Sequence, residues 1–348
     1  MAEFLLTTNV DLRNFRDTPR LETIRDRISP DAVELYLLPS NYPSPCGFEL
    51  SGLLDVDETP VLGRRLAVGL GAQLMGFSYV QVHYPWQFSP DESRFGAMSQ
   101  TIEFCDILKE EGEIGQVSIN YHFANKSIGY SKLSLRGLMS LRNEAGYKLD
   151  SDSRSISLIK RYLGSDCLLV GENNPGTAPD RDSRTGEILF DPFDLVPLDF
   201  RERPGLDGLT LDVAHAYNVW LNLSASLALH LRDEDMPRTL VSVAEQYIMP
   251  AFGSGDFGDV VGEFSSLPNA PLRWIHVSDE RDPNLHEGLH IGDGKIDYAE
   301  VFRRINQTVP EDAVIPVTIE TKDGHTDEGF QRILENDVPR LREAIQKV

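Results

Sequence analysis

The sequence has few cysteines, and this shortage excludes two classes of protein. It contains three cysteines in 348 residues, and none of them has the C-x-x-C spacing of a thiolate zinc site. A disulfide scaffold is also excluded, because such scaffolds are small secreted domains dense in cysteine. Separated cysteines of this kind fit a reducing compartment, so we expect a cytoplasmic protein. The cysteines are Cys46, Cys105 and Cys167.

Long apolar runs and a leader segment are also lacking. No uncharged apolar stretch approaches the roughly 20 residues that a helix needs to span a bilayer. The opening MAEFLLTTNV has no basic segment before its short apolar run. We therefore expect neither a secretory signal nor a membrane partner.

Positive charge is scarce as well. The chain has 33 Lys and Arg against 55 Asp and Glu, a net charge of −22. Proteins hold nucleic acid mainly by neutralising phosphates with Lys and Arg. The charge therefore disfavours nucleic acid as a partner, without excluding a local basic patch.

Eight short apolar runs typical of buried strands alternate with segments of helical periodicity. Such alternation predicts a parallel sheet, and eight repeats predict a closed (β/α)₈ TIM barrel. An open doubly wound sheet fits less well, because no G-x-G-x-x-G follows the first run. The runs are 4–10, 32–38, 79–83, 116–121, 167–171, 209–213, 272–277 and 314–320.

We predict an α/β protein with one barrel domain over residues 1–348 and long inserted loops after the fourth and fifth strands. These insertions cover 123–147 and 173–208. Loops of that length are usually functional lids or disordered segments. Near the other end of the chain, one apolar face predicts a C-terminal helix. That face comprises Phe330, Ile333, Leu334, Val338, Leu341 and Ile345.

The candidate metal ligands fall at the carboxyl ends of the predicted strands. In a barrel these ends converge on one mouth, where residues far apart in sequence meet. A carboxylate that ends an apolar strand is costly to bury unless a charge or a metal compensates it. Imidazole and carboxylate together suit Zn²⁺, Mn²⁺ or Fe²⁺. The candidates are His83, His122, Glu172, Asp212, His215, His276 and Glu320.

Five motifs resemble the xylose isomerase-like TIM barrels, the superfamily that joins sugar isomerases and epimerases with the endonuclease IV group. The motifs occur in the order that the superfamily shows, and the resemblance is clearest between residues 165 and 325. They are V-G-E-N-N at 170–174, L-D-V-A-H at 211–215, W-I-H-V-S-D at 274–279, G-L-H-I-G-D-G-K-I-D at 288–297 and V-T-I-E-T at 317–321.

The resemblance implies a core metal held by Glu172, Asp212, His276 and Glu320. In isomerases and epimerases such a metal polarises the carbonyl of a sugar, while two glutamates move a proton through an enediolate. Glu172 and Glu320 would then be catalytic. His215 would bind a substrate hydroxyl, and Arg281 would steady a phosphate or an oxyanion. The resemblance also suggests a homo-oligomer.

The endonuclease IV members instead hold three zinc ions. His83 and His122 match histidines of that group, and with Glu172 they would hold a second metal. Trp86 lies near the position of an aromatic residue that stacks on DNA. A third site would need His215 with one or both of His286 and His290, and without it these two histidines would bind substrate. The pattern departs there, because H-E-G-L-H at 286–290 replaces the expected Asp-x-His pair.

Two enzyme hypotheses therefore remain. The preferred one is a metal-dependent isomerase or epimerase acting on a sugar, sugar phosphate or polyol, with Zn²⁺ or Mn²⁺ as the cofactor. The alternative is a multi-zinc phosphodiesterase of the AP endonuclease type. The extra histidines favour the alternative, whereas the acidic charge and the inserted loops favour a small carbohydrate-like substrate. A barrel that has lost catalysis fits least well, because the four core positions are all filled.

Overall fold

Eight parallel strands close into a barrel in a computed structural model of the chain. The predicted (β/α)₈ TIM barrel is confirmed: the strands β1, β2, β3, β4, β6, β9, β10 and β11 follow one another around it. The structure describes residues 1–11, 18–36, 68–84, 95–121, 128–130, 154–164, 166–173, 180–181, 188–190, 200, 205–218, 220–221, 256–281 and 288–348.

The described strands and helices have the following bounds. The strands are β1 Glu3–Asp11, β2 Ala32–Tyr36, β3 Tyr79–His83, β4 Gln116–Tyr121, β5 Ile128–Tyr130, β6 Cys167–Glu172, β7 Asp180–Arg181, β8 Ile188–Phe190, β9 Gly208–Asp212, β10 Leu272–Val277 and β11 Val314–Ile319. The helices are α1 Thr18–Arg27, α2 Phe95–Gly112, α3 Phe257–Ser265, α4 Tyr298–Thr308, α5 Asp327–Arg332 and α6 Val338–Gln346. Residues 68–74, 154–162 and 213–218 are also helical.

Each barrel strand separates its apolar and polar residues by pointing successive side chains to opposite faces. On β2, Val33 and Leu35 belong to the apolar core, whereas Glu34 between them contacts His276 on β10, which does not neighbour β2. One face of β2 is therefore apolar and belongs to the surrounding core, whereas the other face carries Glu34 into the barrel interior.

The two predicted insertions meet each other in a small antiparallel sheet. The strand β5 from the first insertion pairs with β8 from the second, and β8 also pairs with β7. The sequence analysis predicted only loops here, because strands of two or three residues carry no readable periodicity. Both insertions follow the carboxyl ends of barrel strands, so the small sheet arises on the side of the predicted site.

The predicted C-terminal helix is interrupted by a π-helical turn. The segment Ile333–Asp337 is a π-helix between α5 and α6, although the predicted apolar face is buried as far as Leu341. Pro339 lies in the first turn of α6 and has no backbone N–H to donate to the preceding turn. The apolar pattern showed which side is buried, but not the change of winding.

No helix among the described residues combines the length and the apolar character that crossing a bilayer requires.

Helix α4 holds the first barrel strand through an aromatic contact. Phe302 is fully buried, and its ring centroid lies 4.9 Å from that of Phe4 on β1. We expect Phe302→Ala to lower the free energy of unfolding by about 3–5 kcal/mol, because it leaves a cavity between strand and helix. Urea unfolding measures the change. Met75→Ala, at a side chain that is 52% exposed, is the control and should change it little.

Candidate metal centre

The polar residues of the barrel interior form two layers along the strands. The upper layer lies at the carboxyl ends and contains Tyr36, His83, Asn120, Glu172, Asp212, His276 and Glu320. The lower layer lies two residues earlier on the strands and contains Glu34, Gln81, Ser118, Thr210, Trp274 and Thr318. Hydrogen bonds join lower-layer strands: Gln81 donates across the barrel to Thr210 at 3.1 Å, and Trp274 donates to Thr318 at 2.7 Å.

Four side chains of the upper layer converge on one point. Glu172, Asp212, His276 and Glu320 each offer a donor atom, and these four atoms all lie within 4.8 Å of one another. The Nδ1 atom of His276 lies 3.3 Å from Oε1 of Glu172 and 3.0 Å from Oε2 of Glu320. These are the four residues that the sequence motifs assigned to a core metal.

The backbone around the cluster explains why its members are held in place. Asn173 follows β6, and its amide exchanges two hydrogen bonds with the backbone of Asp212, at 2.9 and 2.7 Å. The backbone N–H of His215 donates to Asp212 Oδ1 at 2.7 Å. Glu320 follows β11, and its backbone N–H donates to the carbonyl of Val277 at 2.9 Å. The backbones of Asp212 and Glu320 are thus each hydrogen-bonded to the neighbouring strand or to the residue that follows it.

Glu172 has two further partners, one on the neighbouring strand β4 and one on β3 beyond it. Asn120 on β4 donates an amide hydrogen to Glu172 Oε2. The Nε2 atom of His83 on β3 lies 3.3 Å from the same oxygen. The His83 ring also lies against Tyr36, with centroids 4.2 Å apart, and stacks on the His276 ring at 5.9 Å. His83 therefore lies beside the four-residue cluster, and its part in a second metal site stays a prediction.

Charges decide the protonation of His276. Burial by itself would lower its pKa, but the carboxylates of Glu34, Glu172 and Glu320 outweigh burial and raise the pKa well above its ordinary value. Burial acts in the opposite sense on Glu320, and the charge of His276 outweighs it, lowering the pKa of Glu320 to about 2. His276 and Glu320 thus hold each other in charged forms.

The donor set suits a divalent cation. Glu34, Glu172 and Asp212 are at most 3% exposed, and with Glu320 they place four carboxylates around the imidazoles of His276 and His83. Such an excess of buried negative charge is costly unless a cation compensates it. Carboxylate oxygens with one imidazole nitrogen are ligands for Zn²⁺ or Mn²⁺. The residues present therefore fit the predicted cofactor.

Thiolates do not contribute to this centre. Cys105 and Cys167 are buried and free, and Cys46 lies outside the described residues. Burial raises the pKa of Cys167 to about 12 and that of Cys105 well above its ordinary value. Both thiols therefore stay protonated near neutral pH, and only a thiolate is a metal ligand.

The other predicted site residues have different outcomes. His215 lies at the edge of the cluster: its Nδ1 is 2.9 Å from the carbonyl of Asn173 and its Nε2 is 3.5 Å from Asp212 Oδ2. Arg281 is exposed, four residues after the end of β10. His122, Trp86 and His286 lie outside the described residues.

His290 already has carboxylate partners. Its Nδ1 lies 2.6 Å from Asp337 Oδ2 and its Nε2 lies 3.0 Å from Asp323 Oδ1. The G-D-G turn that follows is organised by Asp279, which accepts from the backbone N–H groups of Gly292 and Ile296. This arrangement favours a structural role for the motif, and substrate binding by His290 stays a prediction.

Sequence reasoning missed Glu34 and the amides of Gln81, Asn120 and Asn173. The signal for Glu34 was present: a carboxylate stands between valine and leucine in AVELY, which is the same kind of pattern that singled out Glu172. Glu34 lies in the middle of its strand, whereas the ligand positions that the barrel pattern predicts are strand ends. The amides carry no charge, so no burial cost drew attention to them.

Comparisons with known proteins agree with this fold. No protein-family model and no curated protein sequence matches the chain. A solved structure of a D-tagatose 3-epimerase-like protein is 16% identical with a TM-score of 0.52, and the alignment covers 97% of this chain and 99% of that one. An L-ribulose 3-epimerase is 14% identical with a TM-score of 0.47, over 99% and 92% of the two chains. SacUVDE is 13% identical with a TM-score of 0.49 over the full length of both. The chain thus has the closed-barrel fold of the D-tagatose 3-epimerase-like protein.

We expect a divalent cation to stabilise the folded chain, since only the folded state brings the four ligands together. After treatment with a chelator, Mn²⁺ or Zn²⁺ at 100 times its dissociation constant should add about 2.7 kcal/mol to the free energy of unfolding. Thermal unfolding with and without the ion measures this.

Asp212→Asn should abolish the stabilisation while leaving the metal-free protein folded, because the asparagine oxygen can still accept from His215. Glu311→Gln, at an exposed position before the amino end of β11, whereas Glu320 follows the carboxyl end of that strand, is the control and should respond like the wild type. An equal response of Asp212→Asn would place the ion elsewhere.

Proposed function

We propose that the chain is a divalent-metal-dependent isomerase or epimerase acting on a sugar, a sugar phosphate or a related polyol. The observation that carries this proposal is the pair Glu172 and Glu320. Their carboxylates both lie beside one imidazole nitrogen, at 3.3 and 3.0 Å, within a common ligand cluster. A proton removed by one carboxylate and returned by the other requires such a pair beside a bound substrate.

The two glutamates differ in access, which suits different tasks. The Glu172 side chain is 1% exposed and the Glu320 side chain is 25% exposed. Asn120 and His83 hold Glu172, whereas Glu320 lies nearer the mouth, where a substrate enters. The bound cation would polarise the substrate carbonyl and stabilise the developing oxyanion. The carbon next to that carbonyl can then exchange a proton with either carboxylate.

The remaining residues of the mouth would orient the substrate. His215 lies at the edge of the cluster and would donate to a hydroxyl group. Arg281 is exposed just beyond β10 and would bind a phosphate, if the substrate carries one. The net charge of −22 supports a small substrate over a nucleic acid.

This proposal predicts exchange of carbon-bound hydrogen with solvent. The Mn²⁺-loaded protein in D₂O should introduce deuterium next to the carbonyl of a ketose from a panel that includes D-tagatose, L-ribulose and D-fructose. Proton NMR follows the loss of signal. Glu172→Gln and Glu320→Gln should each slow the exchange by about 100-fold or more.

Glu311→Gln is the matched control, because it makes the same chemical change at an exposed site. Metal content is measured for each variant, since a glutamine that only displaced the ion would not report on proton transfer. Slow exchange in a variant that keeps its ion supports the proposal. Undiminished exchange in both metal-loaded variants contradicts it.

A second candidate function is a phosphodiesterase related to endonuclease IV. One observation favours it: Glu34, His83 and His276 form a further group whose donor atoms lie within 4.8 Å of one another. An additional ion next to the first would supply the hydroxide that hydrolysis needs. The sequence analysis assigned the second ion to His83, His122 and Glu172, and His122 lies outside the described residues.

The two functions differ in metal content and in substrate. Elemental analysis of the purified chain should find one ion for the isomerase and two or three zinc ions for the phosphodiesterase. An abasic-site duplex is the direct substrate probe. We expect no nicking of that duplex. Nicking that His83→Ala abolishes, without deuterium exchange on any ketose, would establish the second candidate.

A further inference from the structure

Glu34 lies below the candidate metal centre and contacts its only imidazole ligand from behind. Its Oε1 atom lies 3.0 Å from Nε2 of His276, and its side chain is completely buried. It belongs to β2, whereas His276 belongs to β10, so the contact spans the barrel interior. Nothing in the sequence motifs assigned a role to Glu34.

The contact determines which nitrogen of His276 faces the other ligands. A carboxylate can only accept, so Nε2 must carry the hydrogen in the contact with Glu34. In the neutral ring the lone pair is then on Nδ1, the atom that lies 3.0 Å from Glu320 and 3.3 Å from Glu172. Ligand histidines in proteins are commonly oriented by such a partner on the other nitrogen.

Orientation alone does not require a carboxylate at this position. The amide oxygen of Gln81, directly paired with Glu34 in the sheet, lies 3.3 Å from the same Nε2 atom. Gln81 is itself oriented by its hydrogen bond to Thr210. A neutral acceptor is therefore already present. What Glu34 adds is a carboxylate group, held where neither solvent nor a described lysine or arginine side chain contacts it.

The second carboxylate oxygen of Glu34 also bears on the binding of a cation. Among the described residues, Oε2 of Glu34 is buried without a hydrogen-bond partner. A carboxylate that is only half satisfied is costly to bury, so a cation nearby would offset part of that cost. The negative charge raises the basicity of the imidazole that would bind this cation.

We propose that Glu34 is a positioning residue of the metal centre: it holds His276 with Nδ1 toward the ion and strengthens that ligand by its charge. The inference rests on the proposed metal centre and concerns a residue outside the four-ligand set. It separates two contributions, orientation by Gln81 and Glu34 together, and charge by Glu34 alone.

The test compares Zn²⁺ affinities, using competition with a chromophoric chelator on protein freed of metal. Glu34→Gln keeps the shape and an acceptor oxygen but removes the charge, and we expect about 10- to 100-fold weaker binding. Glu34→Asp keeps the charge but withdraws it from Nε2, and it should also weaken binding. Thr318→Val, which removes the hydrogen bond from Trp274 in the same layer, is the matched control and should leave the affinity unchanged.

A spectroscopic measurement distinguishes positioning from general disturbance of the barrel. In Zn²⁺-loaded protein labelled with ¹⁵N-histidine, the metal-bound ring should ligate through Nδ1 and show a slowly exchanging Nε2–H. That hydrogen should exchange faster in Glu34→Gln and remain slow in Thr318→Val.

The outcomes separate this inference from the function it rests on. A wild type without Zn²⁺ affinity would overturn the metal centre itself. Unchanged affinity in both Glu34 variants of a metal-binding protein would overturn only the role of Glu34. A fall from two bound ions to one, with the remaining affinity unchanged, would make Glu34 a ligand of a separate ion and would also overturn this role.

Discussion

The architecture of the interior depends on one electrostatic constraint, the crowding of four carboxylates, three of them buried, around the imidazole of His276. Glu34, Glu172, Asp212 and Glu320 come from four strands or strand ends, and His276 contacts three of them directly. Isolated charges of this kind would destabilise the fold by several kcal/mol each. They are tolerated because amides and backbone N–H groups satisfy individual oxygens, and because the arrangement as a whole attracts a cation.

This constraint explains why the barrel interior departs from the usual pattern. The interiors of TIM barrels are generally filled by bulky branched side chains. Here the layer below the mouth contains Gln81, Thr210 and Thr318 together with Glu34, joined by hydrogen bonds between strands. Polar packing at this level allows a charge to lie directly beneath the metal ligands. The apolar core lies instead between the strands and the surrounding helices, where Val33 and Leu35 are completely buried.

The arrangement also connects stability with function. The carboxylates that would bind the ion repel one another in its absence, so part of the folding free energy is given up to form the site. Asn173 and Asn120 reduce that loss by donating hydrogen bonds to the backbone of Asp212 and to the carboxylate of Glu172. Neither side chain can change its charge, so both support the ligands over the whole pH range in which the protein folds.

The amino-acid sequence by itself determined the eight strands and their parallel order, because eight apolar runs alternate with segments of helical periodicity. It also placed the four cluster residues among seven candidates at strand ends, and the resemblance to known barrels selected the four. Only the tertiary structure decided what lies behind His276, because Glu34 is 242 positions away along the chain. The pairing of the two insertions and the π-turn before Pro339 were also decided there. In a closed barrel, the order of the strands decides which residues meet across the interior. No local pattern in the sequence records which distant strands face each other.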